Sequence, residues 1–354
     1  KERLLAVGER EGVLIACDND EDGVAAAAIL HHLLVWHHPQ VGRRIRFVNE
    51  SFRSEAIPHL IEMAESTPTP VRHVFALDRS YPLRDPGRSH LARIADRCRV
   101  TIVNNHELPP AAPSPTDLGI LLLSPQCLKS TLPAREFPTA MLLKELAPLL
   151  VADPSVLTRI NWQAAVGSCL DAPGGTVGEW LWFYTQFNPD RTLEAARAIR
   201  LVTRAGGFQH AIQALIGVRR PDQLETNEAW GQFIVEYRLL DERVQVLVEK
   251  IVLENRGRPF TSHFFPRDEV ASPTPVAGNA ANELDFYHWI SEQLTPRGDL
   301  GDKPILVGQV VADPRGRRHL GVRIRSPHSV DLMEVGLPDA FVTGGLPNTA
   351  LARI

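Results

Sequence analysis

The chain is 354 residues long, 44% hydrophobic and 23% charged, a globular balance with room for two or three domains. Its net charge of −4 excludes a polycation acting through its global field, so any nucleic-acid contact needs a local basic patch. No apolar run reaches membrane-spanning length and the four cysteines (Cys17, Cys98, Cys127, Cys169) form no CxxC pair, so the expectation is a cytoplasmic protein with no membrane span, signal peptide, zinc knuckle or disulfide framework.

Taken in chain order, the first element is an apolar β-type run, Val13–Cys17. It ends in Asp18, Asp20, Glu21 and Asp22, then Gly23, then an alanine-rich helix over Val24–Trp36. Four acids within five residues repel one another, and a bound cation is the usual remedy. Carboxylate clusters suit hard ions such as Mg²⁺ or Mn²⁺. The ordinary alternative is a solvated acidic turn. Gly23 permits close backbone approach, and the helix it opens turns free N–H groups toward the same spot, as phosphate sites do.

Strand-like and helix-like segments then alternate. Ile45–Asn49 reads as strand, Ser54–Glu65 as helix, Val71–Leu77 as strand, Arg88–Arg97 as helix and Val100–Val103 as strand. A Pro-rich loop follows over Leu108–Pro115, then the apolar run Ile120–Leu123, a helix over Pro138–Leu150, and a helix or helix end over Ala164–Asp171. Such alternation predicts an α/β domain with a parallel sheet.

Residues 176–255 read as helical, with Trp230, Phe233, Tyr237, Leu240, Val244, Val248 and Ile251 making one long core-facing helix. The Pro-, Ser- and Asn-rich stretch 266–282 interrupts the pattern. After a helix at Glu283–Leu294 the chain turns β-like at Ile305–Val311, His319–Arg325, Val330–Met333 and Ala340–Val342. Three regions result: 1–175 as the α/β domain, 176–255 as a helical middle with a connecting helix, and 256–354 as an α+β domain.

Three other places echo the acidic turn, each at the end of an apolar run: Asp78, the segment Asn104-Asn105-His106-Glu107, and Asp171. Singly, each has an ordinary explanation as a turn cap, a loop histidine or a helix-ending acid. A parallel sheet would gather strand-end residues on one edge, where open α/β sheets bind ligands.

In this order, Asp20-Glu21-Asp22-Gly23 with its small-residue helix, Asp78, Asn104-Asn105-His106 and Asp171 resemble the motifs of the DHH phosphoesterase superfamily, in particular its RecJ-like and archaeal GINS-associated nuclease branch. Val322-Arg323-Ile324-Arg325-Ser326 and Gly344-Gly345 resemble the family's associated substrate-binding domain. The resemblance implies Asp20, Asp22 and His106 as catalytic residues and Asp20, Asp22, Asp78, Asn105 and Asp171 as ligands to Mn²⁺ or Mg²⁺. It also implies Arg323, Arg325, Ser326, Gly344 and Gly345 as nucleic-acid contacts. Single-stranded DNA or RNA, or a replication or repair protein, would be the partner.

Two departures bear on activity. The family's triplet begins with aspartate and a metal-ligating histidine, whereas Asn104 and Asn105 are neutral amides, poorer ligands than imidazole. The histidine that follows the family's glycine pair is absent, because Gly345 runs into Leu346-Pro347-Asn348. The leading expectation is a degenerate protein that binds single-stranded nucleic acid or a partner with weak or no catalysis, the Arg315, Arg317, Arg318, Arg323 and Arg325 cluster tracking phosphates. The alternative is an active metal-dependent single-strand exonuclease or oligonucleotide phosphodiesterase. A small-molecule phosphatase ranks third.

Overall fold

A computed structural model of the protein describes residues 2–52, 54–65, 67–106, 115–125, 137–170, 186–203, 207–218, 227–256, 261–265, 290, 293–294, 305–312, 318–325, 342–346 and 349–353. The chain divides into two compact units, Lys1–Arg200 with Phe208–Ile234, and Leu201–Gly207 with Val235–Ile354. The helical region read as 176–255 is thus shared between them.

The first unit contains α1 (Glu2–Leu5), β1 (Gly12–Cys17), α2 (Glu21–His37), β2 (Ile45–Val48), α3 (Ala56–Ala64), β3 (Val71–Leu77), α4 (Gly87–Ala95), β4 (Arg99–Val103) and β5 (Leu121–Leu123). It continues through α5 (Thr139–Leu146), α6 (Pro154–Ser168), α7 (Pro189–Val202), α8 (Phe208–Gly217) and the start of α9 (Glu228–Asn255). The five strands form one parallel sheet in the order β2-β1-β3-β4-β5. Chain order reverses on either side of β1, and such a switch point opens a crevice at the carboxyl ends of the strands.

Side chains alternate across the strands, so Leu14, Ala16, Val74, Ala76, Val100 and Ile102 share one face and pack on Ile57 and Ile61 of α3 and Leu91 and Ile94 of α4. On the other side, α2 packs against α5, α6 and α8. Coverage from several sides explains why Val24–Leu30 is apolar all round instead of amphipathic. Gly167 of α6 permits a close approach to α2: a Cβ there would stand 2.6 Å from the Cβ of Ala25.

The β2–β5 positions match the alternation read from sequence. Two elements differ. The helix read as Val24–Trp36 begins at Glu21, because Asp20 caps it and the next acids favour the positive end of the helix. The helix whose end is read at Ala164–Asp171 begins as early as Pro154, as α6, and Asp171 itself lies outside the described residues.

The second unit holds a five-stranded sheet, order β6-β7-β8-β10-β9, from β6 (Thr261–Phe265), β7 (Ile305–Ala312), β8 (Arg318–Arg325), β9 (Val342–Leu346) and β10 (Thr349–Arg353). Among the described residues of this sheet, β6–β7 pairs in parallel and the other strands antiparallel. Strands β6 and β10 have no counterpart in the sequence reading. The helix expected at Glu283–Leu294 and the strand at Val330–Met333 fall largely or wholly outside the described residues.

Candidate functional site

The site lies at the carboxyl edge of the first sheet. Cys17 of β1 is in register with Leu77 of β3, and Leu77 with Val103 of β4. Asp18, Asp78 and Asn104 therefore leave three adjacent strands side by side. Asp78 turns sharply there: its φ is +55°, the one positive φ of a non-glycine among the described residues, and its N–H donates to Val103 O at 2.9 Å. Aspartate tolerates this left-handed geometry better than most residues, and such strain concentrates at functional sites.

The acidic turn is built by short-range bonds. Asp20 Oδ1 accepts the Gly23 N–H at 3.0 Å, and Asp18 Oδ1 accepts the Asn19 N–H at 2.8 Å. Gly23 is required by packing, because a Cβ there would lie 2.6 Å from Asp18 O. The outcome is a convergence of Asp18, Asp20 and Asp78, each offering one carboxylate oxygen within 4.8 Å of the others. Three hard oxygen donors at this spacing fit a small divalent cation such as Mg²⁺ or Mn²⁺. Asn105, two residues beyond β4, has a buried amide oxygen that lacks a hydrogen-bond partner, a donor of the same hard type.

Asp22 does something else. It is fully buried, Oδ2 accepts the Thr139 N–H and Oδ1 the Ala140 N–H, both at 2.8 Å. It caps the buried start of α5, whose first N–H groups have no partner within their own helix. Burial pushes its carboxyl well above the usual range, the Ala140 N–H pulls it back, and Asp20 pushes it up again. Among the described residues, the acidic cluster thus comprises Asp18, Asp20 and Asp78, without Asp22. Glu21 is also fully buried and forms an ion pair with Arg200 of α7; burial raises its carboxyl and the guanidinium lowers it.

His106 is half exposed, beyond the end of β4. Its Nδ1 lies 2.6 Å from Asn104 Oδ1 and 3.9 Å from Asp78 Oδ1. An amide oxygen can only accept, so Nδ1 is the donor in this contact. The Thr139 hydroxyl donates to Asp78 Oδ1 at 3.3 Å, linking the α5 start to the cluster.

In the second unit, β8 and β9 flank β10. Arg323 pairs with Leu351, which pairs with Gly344; Ala350 joins Ile324 to Gly345; and Arg325 pairs with Thr349. Arg323, Arg325, Gly344 and Gly345, all sequence-derived nucleic-acid positions, therefore share neighbouring rows of one sheet, while Ser326 lies outside the described residues.

Sequence reasoning placed Asp18 in the acidic turn but did not name it among the metal ligands. Its signal was present, since it is the first residue after β1, level with Asp78 after β3.

No family profile and no curated protein matches the chain in sequence. Solved structures do match in fold. RecJ from Thermus thermophilus in complex with Mn²⁺ superposes with a TM-score of 0.64 at 16% identity, over 100% of this chain and 51% of that one. An exonuclease RecJ bound to manganese gives 0.63 at 16% identity, covering 100% and 89%. A DHH domain from a protein assigned to a family of ribosomal proteins gives 0.65 at 16% identity, covering 99% and 83%. The chain thus has an α/β fold similar to that of RecJ and of a DHH domain, and spans about half the length of the Thermus RecJ chain. Among the described residues, no helix is long and apolar enough to cross a membrane.

Proposed function

We propose that this chain is a RecJ-like cytoplasmic protein that binds single-stranded nucleic acid, or a replication or repair partner, and has weak or no hydrolytic activity. One observation carries the reading: the strand-end triplet is Asn104-Asn105-His106, and Asn104 is committed to holding the His106 ring. Neither amide supplies charge or imidazole to a metal.

Asp18, Asp20 and Asp78, together with Asn105, would hold Mn²⁺ or Mg²⁺, and Asp171 is a further ligand in this reading. A divalent ion bound there supplies Lewis acidity and lowers the pKa of water. Asp22 keeps the turn and α5 in place, and His106 contacts the phosphate. Residues 256–354 serve as the substrate-binding domain, with Arg323 and Arg325 forking onto phosphates beside Ser326, Gly344 and Gly345.

The second reading, an active metal-dependent single-strand exonuclease or oligonucleotide phosphodiesterase, is favoured by the convergence of three carboxylates within 4.8 Å. End-labelled single-stranded DNA and RNA incubated with Mn²⁺ separate the two, with Asp18→Asn/Asp20→Asn as control. Retarded migration without cleavage supports binding alone. Cleavage that vanishes in the control establishes the active enzyme, and intact, unshifted oligomers leave the protein-partner form of the first reading.

A further inference from the structure

Each acid of the cluster is held by a different neighbour. Asp20 Oδ1 accepts the Gly23 N–H. Asp18 faces Arg79, whose Nη1 stands 3.4 Å from Asp18 Oδ1 and whose Nη2 donates to Cys17 O at 2.6 Å and to Asn49 O. Asp78 is held by Thr139, the fully buried first residue of α5. The Thr139 hydroxyl donates to Asp78 Oδ1 at 3.3 Å, and its N–H donates to Asp22 Oδ2 at 2.8 Å. Asp22 belongs to the same turn as Asp20. One residue thus spans the two places from which Asp20 and Asp78 enter the cluster.

The span has little slack. Pro138 offers α5 no capping side chain, and Asp22 accepts the first two N–H groups of the helix instead. Behind this contact α6 closes on both helices: a Cβ on Gly167 would lie 2.9 Å from Ala140 Cβ and 3.3 Å from Glu21 O. The hydroxyl therefore stands at a fixed distance from the acidic turn, and Asp78 is tied to it. A neutral hydroxyl orients a carboxylate without cancelling its charge.

The spacing of two carboxylates bears on ion size. Mg²⁺ takes oxygen ligands at about 2.0–2.1 Å in near-ideal octahedral geometry, whereas Ca²⁺ takes them at about 2.3–2.6 Å in a flexible shell. A carboxylate that cannot swing outward favours the smaller ion. We propose that Thr139 is a positioning residue that fixes Asp78 relative to Asp20 and so makes the centre select a small divalent ion over Ca²⁺. The inference rests on the metal-centre reading above, and it is independent of which further oxygen ligands complete the ion's shell.

The test is titration calorimetry of the full chain with Mg²⁺, Mn²⁺ and Ca²⁺, for wild type, Thr139→Ser and Thr139→Val. Wild type is expected to bind Mg²⁺ and Mn²⁺ more tightly than Ca²⁺. Losing a group that orients a metal ligand lowers affinity by about 10- to 100-fold. At 3.3 Å the contact is long for an O–H···O bond, so Thr139→Val should weaken Mg²⁺ by about tenfold, and Ca²⁺ by less. Thr139→Ser keeps both bonds and should behave as wild type. A folded Thr139→Val protein with an unchanged ratio of Mg²⁺ to Ca²⁺ affinity would overturn the inference. So would wild type that takes Ca²⁺ as tightly as Mg²⁺, a result independent of whether any variant folds, and the metal centre would still stand. No ion bound by wild type would overturn the metal centre itself.

Discussion

Thr139 joins Asp22 to Asp78. Its N–H donates to Asp22 Oδ2 at 2.8 Å, and its hydroxyl donates to Asp78 Oδ1 at 3.3 Å. The first residue of α5 thereby couples a helical acid of α2 to the strand-end acid of β3, across sequence separations of 117 and 61 residues. The candidate centre is consequently a three-way junction of helix turn, strand end and helix start.

Replacing Asp22 tests its structural role. Asp22→Ala leaves the Thr139 and Ala140 N–H groups buried without acceptors, which costs about 2–4 kcal/mol in total. Asp20→Ala removes a helix cap worth only about 1 kcal/mol. Urea denaturation of the two variants should rank them in that order; equal losses would mean that the start of α5 finds other acceptors.

Gly23→Ala should be among the more damaging single-methyl additions. The new Cβ would sit 2.6 Å from Asp18 O and 2.7 Å from Asp18 N, both main-chain atoms. Overpacking of this kind costs about 1–3 kcal/mol. Thermal unfolding reads the loss, and a Tm equal to wild type would show that the turn relaxes freely.

Acid should destabilise the fold through two histidines of α2, His32 buried and His31 half-buried. Burial, assisted by Arg159, lowers His31 to about 4 and His32 to about 3. Gln163 Nε2 and Arg159 Nη1 both face the His32 ring, leaving a protonated ring no acceptor there. The unfolded chain takes up these protons near pH 6.5, so stability is complete above that value. It falls with pH down to about 4 and about 3, the two folded-state values, as the unfolded state binds more protons. Each ring contributes up to about 1.4 kcal/mol per pH unit. His32→Gln should lower the slope of stability against pH between about 6.5 and about 4.5 by about one proton, whereas an unchanged slope would place the acid sensitivity elsewhere.

Divalent ions should stabilise the protein through the cluster. Mn²⁺ at about a hundred times its Kd raises stability by about 2.7 kcal/mol, and Asp78→Asn should abolish most of that gain. Differential scanning fluorimetry with and without a chelator shows it directly. A wild-type Tm insensitive to Mn²⁺ and Mg²⁺ would remove the basis for a metal centre.

Much of the sheet was legible because local and global signals agree. The apolar run Val71–Leu77 is bounded by polar residues and followed by Asp78, and a parallel sheet turns such repeats into a shared edge. The run before Asp171 reads as a helix end and closes α6, but the ten helical residues before Ala164 carried no clear apolar period. The role of Asp22 was not legible: its partners lie 117 and 118 residues away, and no local pattern marks a carboxylate that caps another helix. Arg79 escaped notice for a related reason. Its partners Cys17, Asp18 and Asn49 are brought together only by the order β2-β1-β3.

The pairing of Glu21 with Arg200 also has a consequence for the order of assembly. The two residues are 179 positions apart, and Glu21 has no exposed surface once folded. As the chain leaves the ribosome, β1 and α2 emerge long before the guanidinium that answers this carboxylate. A nascent chain ending short of Arg200 must keep the acidic turn in water or carry Glu21 protonated. Closure of the turn is therefore a late event, timed by synthesis of α7, and truncations upstream of Arg200 should yield a sheet whose functional edge remains open.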